Sequence, residues 1–108
     1  MSPIDRHALE DRMKVQGLEP KAWSYPPGLR LAEQSFEYDV VVVVVEGSIT
    51  YGLTGYGVGI MLNPGERMDM PAGSPHDAVA GPKGVSYLEA HLPPGSVGHK
   101  TRGRGYRW

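Results

Sequence analysis

The sequence predicts an all-β protein: a jelly-roll-like antiparallel β-barrel of six to eight strands, with a short N-terminal helix and a C-terminal arm. Fifteen glycines and ten prolines among 108 residues are typical of short strands joined by tight turns. Residues 40–45 are six consecutive valines. They lack the apolar–polar alternation of a strand with one solvent-exposed face, so both faces of this strand should be covered. The length allows one domain with a single modest core.

A helix is predicted over residues 2–17, within an N-terminal segment (1–20) that also links it to the barrel. Ser2 is a good N-cap, Pro3 suits the first helical position, and Gly17 is a natural stop. We expect this helix to cover an edge of the barrel or a neighbouring subunit.

The barrel should occupy residues 21–95, where turn signals separate runs of strand-forming residues. The predicted strands are 29–36, 39–45, 49–53, 58–62, 67–70, 76–79 and 85–92. Residues 63–65, Asn-Pro-Gly, are a strong turn signal, with Pro and Gly at positions that a β-turn favours. Residues 46–48 and 81–84 are predicted to be further turns, each between two separate strands.

The arm, residues 96–108, ends in a basic and aromatic segment. Residues 99–108 carry four positive charges and no acid, which leaves the rest of the chain with a formal charge of −5. Arg-Gly repeats with aromatic residues can contact phosphates and stack on bases. The acidic body repels a nucleic-acid backbone, however, so we expect no nucleic-acid partner. Trp108 should dock on the protein, because an exposed Trp leaves a large apolar area in water.

The most specific motif consists of Gly65, Pro71, Gly73 and His76. Its physical meaning is strand, tight turn, strand: the glycines allow φ values that other residues reach with strain, and the proline ends a strand. His76 opens the next strand, with its ring free to point to one face. The spacing resembles the second motif of the cupin superfamily, G-x5-P-x-G-x2-H-x3-N, in which the histidine binds a metal inside a small β-barrel. Ala80 stands at the position of the closing Asn.

The first cupin motif, H-x-H-x3-E-x6-G, is less well preserved. When it is anchored on Gly47, its two histidine positions fall on Gln34 and Phe36, and its glutamate position falls on Val40. The resemblance extends over residues 4–92 and is to small bacterial single-domain cupins. It implies a site for Fe, Mn, Ni or Zn with three imidazoles and a carboxylate, of which only His76 is retained here at a matched position.

Other side chains are candidates for a rearranged site. Gln34 offers a neutral amide oxygen, which is a weak metal ligand. Asp39 lies one residue from the glutamate position and should face the opposite side unless a β-bulge intervenes. Glu89 and His91 share one strand face with Tyr87: if this face looks into the barrel they join His76 as ligands or acid–base groups, and if it looks outward they are solvated.

Three functions remain open at this point. The first is binding of a small polar ligand between Gln34, Phe36 and His76, without the usual metal. The second is a metal-dependent enzyme of the dioxygenase or isomerase type, with ligands drawn from His76, Gln34 and Asp39 or from Glu89 and His91. The third is a structural or regulatory dimer module whose interior is filled with side chains.

No segment predicts a membrane or secretory location. The longest aliphatic run, the six valines, is far too short to span a bilayer, and the N-terminal region is charged. The sequence has no cysteine, so neither a disulfide framework nor a thiolate metal site is available. We therefore expect a cytoplasmic protein without a membrane partner.

We expect the protein to be a homodimer. A strand of six valines, an amphipathic helix and an aromatic tail offer more apolar cover than one small barrel needs. Light scattering of the purified protein at micromolar concentrations should give twice the mass of one chain. A monomer mass throughout that range would contradict this prediction.

Overall fold

The computed structural model describes residues 4–55, 57–97 and 105–108. Within these residues the chain forms one helix and seven strands. The elements are α1 (Arg6–Val15), β1 (Lys21–Tyr25), β2 (Arg30–Gln34), β3 (Asp39–Leu53), β4 (Val58–Leu62), β5 (Glu66–Met70), β6 (His76–Leu92) and β7 (Gly105–Arg107). The predicted all-β class with a short N-terminal helix is confirmed. β1 is a strand that the sequence analysis missed.

All seven strands belong to one antiparallel sheet organised around two long strands, β3 and β6. These strands pair along most of their length, from Asp39 opposite Leu92 to Leu53 opposite His76. β1 and β2 flank the two halves of β6, β5 and β4 flank the two halves of β3, and β7 adds to β5. This arrangement confirms the jelly-roll type. Among the described residues the hydrogen-bonded path from β1 to β7 does not return to β1, so the expected barrel is open rather than a closed ring.

A bend in β3 and β6 lets each strand contribute to both halves of the roll. The register shifts there, so that Ser48 lies opposite residues 81–84. Gly47 and Gly84 adopt φ angles of +72° and +79°, which glycine reaches without strain. A Cβ atom on Gly47 would collide with the carbonyl oxygen of Gly84. The prediction that residues 46–48 and 81–84 are turns between separate strands is therefore wrong. These residues are irregularities within two continuous strands, β3 and β6.

The six valines are buried on both faces of the sheet, as the sequence predicts. The three even-numbered valines face the interior of the roll, where they pack with residues of β4, β5 and β6. The three odd-numbered valines face the other way and pack against α1, Val97 and Trp108. Since these covering groups belong to the same chain, burial of the valines does not require a second copy. The homodimer stays a prediction.

The helix begins later than predicted and covers the outer face of the sheet. Asp5 caps it, because its carboxylate accepts a hydrogen bond from the main-chain N–H of His7 at 2.9 Å. Ser2 and Pro3, the predicted start, lie outside the described residues. Met13 is fully buried against the outer valines. In the described part of the chain, no helix has the length and apolar character needed to cross a membrane.

Trp108 docks between α1 and β5, which confirms its predicted docking. The guanidinium carbons of Arg12 and Arg67 lie 4.3 Å and 4.9 Å from its ring centroid, within the range of a cation–π interaction. Its main-chain N–H donates to the carbonyl oxygen of Gly65 at 3.2 Å, and Arg12 donates to its main-chain oxygen at 2.6 Å. Residues 98–104 lie outside the described residues, so the expectation that the arm binds no nucleic acid stays a prediction.

Asp39, at the start of β3, holds two loops together. Its side chain is fully buried, and its carboxylate accepts hydrogen bonds from the main-chain N–H groups of Ala72 at 2.7 Å and Val97 at 2.9 Å. Burial on its own would raise the pKa of Asp39. The N–H donors, which also include Gly95 and Ser96, outweigh burial and hold this pKa below its ordinary value. The ionised carboxylate therefore stabilises the fold.

The Asp39 carboxylate should make the fold sensitive to acid. Because its pKa is lowered in the folded state, the stabilisation is complete above the ordinary value of 3.8 and is lost as the pH falls through the folded-state pKa. At neutral pH, Asp39→Asn should lower the free energy of unfolding, measured with urea, by about 2 kcal/mol. The variant should then lose less stability than wild type on acidification to about pH 3.

Asp11→Asn, at an exposed position of α1, is the matched control for this experiment. It should unfold like wild type at both pH values. Equal losses of stability on acidification in wild type and Asp39→Asn would contradict the role assigned to Asp39.

Candidate functional site

A cavity of about 270 Å³ opens inside the roll, next to the predicted site residues. Its walls come from β1, β2, β3, β5 and β6 and from the segment between β2 and β3. The described lining residues are Trp23, Tyr25, Leu31, Gln34, Phe36, Tyr38, Tyr51, Met70, His76, Ala78, Tyr87, Glu89 and His91.

Gln34, Phe36 and His76 lie together at this cavity. The antiparallel register of β2 and β6 sets Gln34 opposite His76. The ring centroid of Phe36 is 5.5 Å from that of His76. Val40, which occupies the glutamate position of the first motif, is buried in the interior cluster. Three of the four positions of the alignment anchored on Gly47 therefore line one cavity, with Gln34 partly open to solvent, whereas Val40 packs in the core beside it.

The loop before β6 fixes the orientation of His76. Gly73 has a φ of +78°, its N–H donates to the carbonyl oxygen of Phe36 at 2.8 Å, and the Ser74 hydroxyl donates to the carbonyl oxygen of Pro71 at 2.6 Å. His76 is only 4% exposed, and its Nδ1 lies 2.9 Å from the carbonyl oxygen of Ser74. A carbonyl oxygen only accepts, so Nδ1 carries the hydrogen. Nε2 is left as the acceptor or ligand atom.

The alternating residues Tyr87, Glu89 and His91 of β6 line the cavity, which resolves the orientation that the sequence leaves open. His91 Nε2 lies 2.7 Å from Glu89 Oε2. The Glu89 side chain is 17% exposed and that of His91 is 45% exposed. The structure therefore brings both alternate site residues into the same cavity as His76, as a hydrogen-bonded acid–base pair nearer to solvent.

Contacts between aromatic rings run from His76 through Phe36 and Tyr38 to His91. The rings of Phe36 and Tyr38 are stacked, with centroids 5.1 Å apart. Tyr38 lies 4.2 Å from the ring of His91, and Phe36 lies against His76 on the other side. Among the described residues, no three His, Cys, Asp or Glu side chains form a group that could hold a metal ion.

The structure does not bring Asp39 to the cavity. The pairing of β3 with β6 is regular here, and its register shifts only beyond Val44. Asp39 and Val40 therefore face opposite sides of the sheet. The Asp39 carboxylate is hydrogen-bonded to Ala72 and Val97 instead. The bulge that would have turned Asp39 inward is not formed, and Asp39 is removed from the candidate ligands.

The architecture is similar to that of solved bacterial structures. A protein of unknown function from Rhizobium leguminosarum aligns with a TM-score of 0.63 and 22% identity over 73% of each chain. A cupin-2 domain protein from Shewanella frigidimarina aligns with a TM-score of 0.59 and 19% identity over 68% of each chain. This chain has the cupin fold.

A larger solved structure of similar fold is oxalate decarboxylase from Bacillus subtilis, with a TM-score of 0.60 and 18% identity. The alignment covers 81% of this chain but 24% of the enzyme's chain, so this chain spans about a quarter of its length. No protein-family model and no curated protein matches the sequence. At these identities the similarity shows the fold alone.

The side chains at the four motif positions do not match the three imidazoles and one carboxylate that would bind a metal. Gln34, Phe36 and Val40 stand at three of its four positions, and His76 is the one imidazole retained. A neutral amide oxygen is a poor partner for a transition metal, and the phenyl and isopropyl groups have no donor atom.

Sequence reasoning missed four aromatic residues of the cavity: Trp23, Tyr25, Tyr38 and Tyr51. Burial, with the nearby charge of Glu89, raises the pKa of Tyr51. Burial and a hydrogen bond with Tyr25 raise the pKa of Tyr87. Both hydroxyls therefore stay protonated at neutral pH and can donate hydrogen bonds to a ligand. The alternation Trp-Ser-Tyr in β1 is the signal that would have indicated this strand.

Restoring the missing imidazoles should increase metal affinity. Gln34→His together with Phe36→His would place two imidazoles beside His76, a set that suits Zn²⁺ or Ni²⁺. Calorimetric titration should show that the double variant binds these ions more tightly than wild type by about tenfold or more. Ser35→His, at an exposed position between the two, is the control and should show no comparable gain. A double variant no better than this control would mean that the two positions do not face His76.

Proposed function

We propose that this protein binds a small polar molecule in the cavity beside His76, without the complete set of metal ligands that the resemblance to cupins implies. One observation carries the proposal. His76 is buried in the wall of the 270 Å³ cavity, and its Nδ1 is occupied by the carbonyl oxygen of Ser74. Nε2 is therefore the ring nitrogen that can accept a hydrogen bond from a ligand.

The size and lining of the cavity support a ligand of few heavy atoms. Its volume of about 270 Å³ is just below the range of about 300–1,000 Å³ that holds drug-sized molecules. Gln34 and Glu89 converge on it with His76, while Phe36 and Leu31 contribute apolar walls. A few polar groups in an apolar cavity suit a bound molecule better than they suit a structural dimer module with a filled interior.

A metal-dependent enzyme of the dioxygenase or isomerase type is the second candidate. It is favoured by the position of Glu89 and His91 in the same cavity as His76, and by the similar fold of oxalate decarboxylase. Against a shared metal, the described residues contain no group of three His, Cys, Asp or Glu side chains that could hold one ion. Elemental analysis of the purified protein distinguishes the candidates. One Fe, Mn, Ni or Zn per chain, lost in His76→Ala, would favour the enzyme over the metal-free binding protein.

Filling the cavity should abolish ligand binding. Ala78 lines the cavity and is 6% exposed, so Ala78→Met would place a flexible side chain inside it at a cost of about 1–3 kcal/mol in stability. Wild-type protein titrated with glycerol, urea, acetate and choline should show saturable NMR shifts for at least one probe. These shifts should be confined to the lining residues and their neighbours, that is to residues 23–25, 31–38, 51, 70, 76–78 and 87–91.

Val79→Met, the next position on the opposite face of β6, is the matched control and should bind as wild type does. Circular dichroism checks that both variants are folded. The proposal fails if no probe binds the wild type, or if Ala78→Met binds the same probe with unchanged affinity.

A further inference from the structure

Aromatic rings and one carboxylate dominate the lining of the cavity. The rings belong to Trp23, Tyr25, Phe36, Tyr38, Tyr51 and Tyr87. Glu89 is the carboxylate, and none of the described lining residues is Lys or Arg. The two histidines are the remaining titratable groups apart from the tyrosines.

This lining favours a positively charged ligand over a negative one. The face of an aromatic ring carries negative partial charge and attracts a cation within about 6 Å of its centroid. Glu89 adds a full negative charge. An anion in the same space would be repelled by Glu89 and would find no guanidinium or ammonium among the described lining residues, and burying an unpaired charge is costly.

We propose that the ligand is a small organic cation, a quaternary ammonium or a protonated amine. This inference rests on the proposed function, because it names the chemical class of the molecule bound there. Glu89 is the counter-charge, and the surrounding rings contact the apolar substituents on the nitrogen.

Trp23 and Glu89 lie where the cavity adjoins a second pocket. Both line the cavity and also the adjoining pocket of about 230 Å³, which His91, Glu19 and Lys21 complete. Trp23 is 48% exposed although it is a large apolar ring, so a bound ligand would remove apolar area from water. Lys21 lies opposite Glu89 across the β1–β6 pair but makes no ion pair with it within the described structure. The hydrogen bond of Glu89 is to His91 and uses one carboxylate oxygen, Oε2.

A pair of probes that differ in charge alone tests this inference. Choline and 3,3-dimethylbutan-1-ol have nearly the same shape, but only choline carries a positive charge. Isothermal titration calorimetry should show that choline binds about tenfold more tightly than the alcohol. Acetate, a small anion, should not bind.

Two variants separate the charge from the shape of the site. Glu89→Gln should weaken choline binding by about tenfold while changing the affinity for the alcohol little. Trp23→Leu keeps an apolar side chain but removes the aromatic face, so it should weaken choline several-fold more than the alcohol. Glu46→Gln, an exposed acid outside the cavity lining, is the control and should leave both affinities unchanged.

The outcomes distinguish this inference from the proposed function. If the alcohol binds as tightly as choline, or acetate binds more tightly than either, the cation inference is overturned while small-molecule binding stands. If Glu89→Gln and Glu46→Gln have equal effects, Glu89 is not the counter-charge and the inference is again overturned. If none of these probes, nor glycerol or urea, binds in the cavity, both proposals fail.

Discussion

The valines of β3 are buried on both faces of the sheet, and the rest of the structure is arranged around that burial. Their inner side chains build the core of the roll, whereas the outer side chains need a second layer, which α1 and Trp108 form. Burying one valine side chain contributes roughly 1.5 kcal/mol or more. A wet outer face would therefore forfeit several kcal/mol, a large share of the stability of a small domain. For this reason the helix and the docked Trp108 are parts of the folded core rather than appendages.

The same strand also positions the site, through its first residue and through its bend. Asp39 holds the loop before His76 together with the segment after β6. The irregularity at Gly47 lets β3 stay paired with both halves of β6. β2 can then pair with the first half of β6, which sets Gln34 opposite His76. The geometry of the cavity thus depends on a buried carboxylate and a positive-φ glycine that do not line it.

The chemistry of the cavity follows from Gln34 and Phe36, which stand where the first cupin motif has histidines. Phe36 brings no donor atom, but its ring stacks on Tyr38 and lies against His76, while Tyr38 lies against His91. The substitution that removes a metal ligand therefore also builds an aromatic surface. Glu89 is left as the acidic group of the described lining. A cavity with this combination attracts positive charge, whereas three neutral imidazoles would have attracted a transition metal.

Local signals in the sequence determined the position of His76 at the start of a strand and the burial of the valines, because turn chemistry and hydrophobic runs act over a few residues. Strand alternation also showed that Glu89 and His91 share a face. It did not show which face looks inward. That depends on which side of the sheet the helix and Trp108 cover, because the other side then faces the interior of the roll. Glycine signals at Gly47 and Gly84 likewise marked a change of direction. Only the long-range pairing of β3 with β6 decided that the chain bends there instead of reversing, since both hydrogen-bonded ladders continue through the irregularity.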